Sequence, residues 1–206
     1  MKTTAPTTHL LYLHGFRSSP ASMKAQKMEA RVKDLYPAVQ WWSPQLPPSP
    51  AQAMREVMQG VADWPRHTMA VVGSSLGGFY ARWVALQTGC RSVLLNPAVF
   101  PARDLSKYIG EQTSWHDPSE RFFFQAGYVE ELLTLQADIE SLTPGQPATP
   151  ERQMAIVAKG DEVLDWREMR AFCLGGTLRL LPGSDHAISD FDDHIDDVLE
   201  FLFSSC

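Results

Sequence analysis

The sequence predicts an α/β fold, a doubly wound and largely parallel six-stranded sheet, and three observations carry that prediction. Short apolar runs of strand character alternate with amphipathic stretches of helical length along most of the chain. A serine flanked by glycines falls where one of those runs gives way to a helix. The 206 residues, 44% hydrophobic and 20% charged, suffice for one domain with a substantial core, so residues 1–206 are read as a single domain.

The elements follow in order. His9–Leu13 is the first strand, and Ser19-Pro20-Ala21 opens a helix that runs to about Leu35, where Pro37 prevents its continuation. Val39–Trp42 is the second strand, leading into a Pro-rich loop from Pro44 to Pro50. That loop is expected as a stiff strand-to-helix connection rather than a ligand for a proline-binding partner. A helix spans about Ala51 to Ala62, Met69–Val72 is the third strand, and Leu76–Gln87 is helical. Val93–Leu95, Met154–Ala158 and Leu178–Leu181 are the fourth, fifth and sixth strands, and the last helix runs from about Phe191 to Phe203. The expected strand order is 2-1-3-4-5-6. Residues 96–152 separate the fourth and fifth strands, far more than the ~2–6 residues of an ordinary connection. This stretch holds Trp115, Phe122, Phe123, Phe124 and a helical segment Val129–Ile139, and closes with a second Pro-rich loop, Pro144 to Pro150. It is expected as a helical insertion or cap that lines the site.

Composition narrows the function. With 24 acidic against 18 basic residues the net charge is −6, and no basic cluster exists to hold nucleic acid. The acidity gathers in Asp190–Asp197 and reads as a solvated helix face. Cys90, Cys173 and Cys206 are scattered, with no metal-ligand or CxxC spacing, which suits a reducing compartment; the serine chemistry read below needs no metal or organic cofactor. No apolar run approaches the ~20 residues of a membrane helix, and Leu10–Leu13 is too short for a signal segment. A cytoplasmic protein with neither membrane nor nucleic-acid partner is expected. The sequence sets no oligomeric state.

The chemistry begins at Gly73-Ser74-Ser75-Leu76-Gly77-Gly78, a G-x-S-x-G pattern. A sharp strand-to-helix turn would hold Ser75 in a strained conformation with its hydroxyl above the sheet edge, and glycines are needed where side chains would collide. The preceding apolar strand and following helix supply the required context, and no Lys follows to make a phosphate loop. Ser74 is out of register with the turn. A serine nucleophile needs a base, and the base an orienting acid, in the chain order Ser, acid, His. Asp161 follows the fifth strand just past Gly160, while Asp165 is better placed to cap the next helix. His186 lies in the loop Gly183-Ser184-Asp185-His186-Ala187 after the sixth strand. His194 competes but is expected to face solvent among acidic neighbours; His9, His67 and His116 fall outside the slots. Two backbone donors are needed for a developing oxyanion: the N–H of Leu76 and that of Phe16, aimed by the turn His14-Gly15-Phe16. His14, ahead of Ser75 in the chain, is expected to be structural.

Leu11-Tyr12-Leu13-His14-Gly15-Phe16 with Ser18-Ser19-Pro20, Pro44-Gln45-Leu46-Pro47-Pro48, Val72 to Gly78, Asn96-Pro97-Ala98 and Gly160 to Asp165 stand in order along the chain. Together they resemble the YqiA-type esterases, compact bacterial α/β-hydrolases, from Leu10 to about Phe203. The resemblance implies a minimal α/β-hydrolase without the two N-terminal strands of larger members. It also implies an intracellular hydrolase of small-molecule acyl esters or thioesters, with Ser75, Asp161 and His186 as its triad. The sequence departs from the family at the His186 loop, where the family has Asn before the His and Phe after the Ala. The stretch from Gly110 to Pro150 is also divergent. An acyltransferase on the same triad, and a binding module with a vestigial triad, remain as alternatives.

Overall fold

The computed structural model describes residues 6–115, 117, 119–142 and 151–204. In chain order the elements begin with β1 (His9–Leu13), α1 (Met23–Leu35), β2 (Gln40–Trp42), α2 (Pro50–Gly60), β3 (Met69–Ser74), α3 (Leu76–Thr88) and β4 (Arg91–Leu95). There follow α4 (Pro101–Leu105), β5 (Gly110–Thr113), β6 (Arg121–Phe124), α5 (Ala126–Leu142), β7 (Gln153–Ala158), α6 (Trp166–Phe172), β8 (Thr177–Leu181) and α7 (Ile195–Phe203). The main sheet has six strands in the order β2-β1-β3-β4-β7-β8, every neighbouring pair parallel, which is the expected order.

Every residue of β3, β4 and β7 is buried, as it must be for central strands covered on both faces. The strand period of two sorts the side chains into two cores. Leu10, Tyr12, Ala70 and Val72 pack under α1 and α7 with Met28, Val32, Val198 and Leu202. Leu11, Leu13 and Val71 pack on the other face with residues of α2, α3, α5 and α6, among them Met54, Phe79, Leu132 and Met169. Because all six strands run the same way, the segments that leave β1, β3, β4, β7 and β8 emerge at one edge of the sheet. The candidate site residues sit there.

The structure departs from expectation in three places. Helix α1 begins at Met23 rather than Ser19, because Ser19 to Ser22 first close a turn, with Ser22 N–H donating to Ser19 O at 3.0 Å. The insertion is only partly helical. Between α4 and α5 it folds an antiparallel hairpin, β5–β6, pairing Gly110 with Phe124 and Gln112 with Phe122. The strand Gly-Glu-Gln-Thr offers no apolar alternation by which sequence could reveal it. The last helix starts late: Phe191–Asp193 forms a 3₁₀ turn, and α7 begins after His194. His116, the Pro144–Pro150 loop and Cys206 lie outside the described residues.

Candidate active site

Ser75 joins β3 to α3 with φ +57° and ψ −121°, the strained geometry expected of the turn. The glycines around it are required by contact. A Cβ on Gly77 would fall on the carbonyl oxygen of Leu13, and one on Gly73 would strike the backbone of Gly77. A Cβ on Gly15 would come within 3.2 Å of Ser75 Cβ, so the loop after β1 lies directly against the serine. Ser75 is also fastened to the exit of β4: its N–H donates to Leu95 O, and its carbonyl accepts from Ala98 N–H, both at 3.0 Å.

Asp161, Ser75 and His186 come together. Ser75 Oγ lies 3.0 Å from His186 Nε2, and His186 Nδ1 lies 2.7 Å from Asp161 Oδ2. The Asp161 side chain has no solvent exposure, and its second oxygen accepts from the N–H groups of Val163 and Leu164 at 2.8 Å each. These bonds hold the carboxylate in one rotamer. Gly160 lets the turn pass hard against the Ser184 carbonyl, bringing the loops after β7 and β8 into contact. Asp165 caps α6 through Arg167 N–H, as its position suggested.

The His186 loop is gripped by three elements. Asn96, fully buried at the end of β4, donates from Nδ2 to the carbonyls of Asp185 and His186 at 3.0 and 3.1 Å. Glu162 accepts from His186 N–H at 3.0 Å. Lys24 of α1 reaches the carbonyl of Ala187 with its ammonium. Burial pulls Lys24 down to about 8, against the opposing influence of the Asp185 and Asp161 carboxylates. Asp185 itself turns to Ser189, accepting from its N–H and hydroxyl, and those bonds hold the carboxyl below its ordinary range. Sequence reasoning gave no role to Lys24, Asn96 or Glu162. A lysine on the buried stripe Lys24, Ala25, Met28, Val32 was the available signal for the first.

The other histidines stand apart. His14 Nε2 accepts from Leu46 N–H at 3.0 Å, so its proton is on Nδ1, which donates to Gly15 O at 2.9 Å. It ties the Pro-rich loop to the turn beside Ser75, a structural role. His194 does not face solvent: its side chain is 14% exposed, with Nε2 3.4 Å from Asp190. Because α7 starts after it, His194 belongs to a tight turn rather than to an exposed helix face.

A cavity of about 590 Å³ opens between the loop after β1 and the Pro-rich loop, its wall including Phe16, Leu46, Leu76, Tyr80 and Phe122. The insertion borders it and braces the Phe16 turn. The Phe16 ring contacts Phe122 and Phe124 at centroid distances of 5.9 and 5.2 Å, and Trp115 N–H donates to Arg17 O at 2.8 Å. The three phenylalanines divide: Phe122 lines the cavity, Phe124 is buried and Phe123 is 61% exposed. Among the described residues no group of three His, Cys, Asp or Glu side chains is placed to hold a metal ion.

Solved structures share this architecture. Est1E from Butyrivibrio proteoclasticus superposes with a TM-score of 0.72 at 15% identity, over 96% of this chain and 87% of that one. One of the metagenome-derived lipolytic enzymes LipS and LipT gives 0.69 at 18% identity, covering 97% of this chain and 95% of its own. Alpha/beta hydrolase domain-containing protein 10 from mouse gives 0.69 at 17% identity, over 98% and 93%. At such identities these likenesses establish the α/β-hydrolase fold. The profile of the uncharacterised protein family UPF0227 matches residues 9–203, nearly the whole length, and the chain accordingly belongs to that family, the YqiA type of α/β-hydrolase.

Proposed function

We propose that this protein hydrolyses small-molecule carboxylic esters or thioesters through an acyl-enzyme on Ser75. The observation that carries the reading is the unbroken hydrogen-bond chain from Asp161 through His186 to Ser75, at 2.7 and 3.0 Å. In this reading Ser75 Oγ attacks the acyl carbonyl carbon and His186 Nε2 takes its proton, while Asp161 holds the Nδ1–H tautomer and steadies the imidazolium. The Leu76 N–H, left without an intrahelical acceptor at the first turn of α3, and the Phe16 N–H receive the oxyanion, each worth about 3–4 kcal/mol. His186 then protonates the departing alkoxide or thiolate. A water repeats the sequence on the acyl-enzyme, releasing the carboxylic acid and restoring Ser75.

The cavity beside Phe16 and Leu76 is the proposed substrate pocket, with residues 96–152 an insertion bordering it in a single-domain enzyme. Lipolytic enzymes and an esterase domain among proteins of the same fold support the reaction class. Among the described residues no helix is long and apolar enough to cross a membrane, and the buried, unpaired Cys90 and Cys173 support a reducing, cytoplasmic setting. The test is labelling with a fluorophosphonate followed by intact-mass and peptide analysis. One adduct on Ser75, and loss of ester turnover in Ser75→Ala, are expected; labelling of Ser74 or undiminished turnover overturns the reading.

A further inference from the structure

A second cavity, of about 440 Å³, lies between α3, α5 and α6 and shares no lining residue with the one beside Ser75. Its walls are apolar, from Phe79, Val99, Phe100, Ile139 and Phe172, yet Arg82 also lines it. Arg82 is 7% exposed, its guanidinium stacked on Phe172 at 4.7 Å and donating from Nη1 to Gln153 Oε1 at 2.5 Å. Its Nε is buried with no hydrogen-bond partner, as is Gln153 Nε2.

No carboxylate among the described residues forms an ion pair with Arg82, and residues 1–5, 116, 118, 143–150, 205 and 206 include no Asp or Glu. The nearby Cys173 is no counter-charge, since burial pushes its thiol up to about 12. The two acidic residues at the cavity are engaged elsewhere. Glu168 gives both oxygens to Arg103, at 2.9 and 2.7 Å, and Glu140 accepts from Gln136 at 3.0 Å. A guanidinium taken out of water without a counter-charge is strongly disfavoured, and an anion admitted to the cavity offsets that penalty.

We propose that this cavity is a binding site for an amphipathic carboxylate, its head group on the Arg82 guanidinium and its tail along Val99, Ile139 and Phe172. The planar fork of Arg82 suits a carboxylate, and walls of Phe, Val and Ile suit a single apolar chain better than a multiply charged phosphate.

The test is side-chain NMR of the full chain, following the Arg82 Nε–H resonance, assigned by its disappearance in Arg82→Lys. Sodium hexanoate, octanoate and decanoate are titrated below their micelle concentrations, with acetate and decanol as controls. Saturable movement of the resonance is expected, with affinity rising by up to about fourfold per added methylene until the tail fills the cavity. Ala171→Trp, which fills the cavity from its exposed rim and leaves Arg82 intact, is expected to weaken decanoate at least about tenfold. An unmoved resonance, equal movement with acetate or decanol, or undiminished binding in Ala171→Trp overturns the proposal. The readout is binding at Arg82, so it stands or falls independently of the reaction proposed at Ser75.

Discussion

The carboxamide of Asn96 donates to the main-chain oxygen of His186 at 3.1 Å, while its own oxygen accepts from Ala158 N–H at 2.8 Å. One side chain therefore fixes the loop after β8 to the end of β7, the strand that delivers Asp161. Asn96 adopts φ +40°, a conformation Asn tolerates better than most residues, and it is completely buried. In the proposed reaction it is a positioning residue for the base. Asn96→Ala is expected to lower kcat by about 10- to 100-fold with a smaller change in KM, because a misplaced imidazole affects the chemical step. Loss of its buried bonds should also cost about 1–3 kcal/mol of stability. Steady-state kinetics beside denaturant unfolding separates the two effects, and an unchanged kcat in a destabilised variant would reduce Asn96 to a packing role.

The proposed triad makes a comparison among four variants decisive. His186→Ala should cut kcat by several orders of magnitude, as triad deletions do elsewhere. His194→Ala should stay within a few-fold, since that ring meets Asp190 rather than Ser75. Asp161→Asn should resemble His186→Ala, whereas Asp165→Asn keeps a side-chain oxygen to cap α6 and should leave both turnover and stability close to wild type. All four are to be measured on one activated ester. An inactive His194→Ala beside a working His186→Ala would reverse the assignment.

What sequence made legible follows from how locally each feature is encoded. The six sheet strands were readable because β1, β3, β4 and β7 are runs of buried residues bounded by breaks, and their order follows from parallel connections. Ser75, Asp161 and His186 were nominated because each follows a strand at the same edge of the sheet. The hairpin β5–β6 was missed because Gly110–Thr113 is polar, and its pairing with Arg121–Phe124 is a tertiary fact. His194 was misjudged because its exposure depends on where α7 starts, a boundary that periodicity fixes only loosely. Glu162 acts on a main-chain atom of a distant loop, a contact that leaves no pattern in sequence, whereas Lys24 left one signal only, its place on the apolar stripe of α1.

Lys24 makes stability depend on alkaline pH. Its ordinary value of 10.5 applies when unfolded, and burial lowers it to about 8 when folded. Between those values the unfolded chain holds more protons than the folded one, so Lys24 makes stability rise with pH across that window. Relative to Lys24→Met, the wild type should gain on the order of 3 kcal/mol between about pH 8 and 10.5. Denaturant melts of both proteins across that range check this. A stability difference that stays constant with pH would mean the ammonium is not desolvated in the fold.

Activity is expected to survive prolonged dialysis against EDTA, because no His, Cys and carboxylate cluster with metal-ligand spacing exists among the described residues. Loss of ester turnover that zinc or magnesium restores would show the serine reading to be incomplete.

The three consecutive phenylalanines of β6 should behave differently, although in sequence they look like one aromatic patch. Strand alternation sends Phe122 and Phe124 toward Phe16 and Phe123 away from it. Phe124, at 1% exposure, packs in the core with Leu132, so Phe124→Ala should cost about 3–5 kcal/mol. Phe123, at 61% exposure, should be near neutral within about 0.5 kcal/mol. Phe122 is half-buried in the wall of the cavity beside the Phe16 turn, so Phe122→Ala enlarges the proposed acyl pocket. It should shift kcat/KM toward longer or bulkier acyl groups by a few-fold to tenfold, the discrimination one apolar contact commonly provides. The check is a series of p-nitrophenyl esters of graded acyl length, run on the three variants beside their unfolding curves. If Phe122→Ala loses stability and keeps the wild-type chain-length profile, the ring serves packing, and the acyl group lies elsewhere.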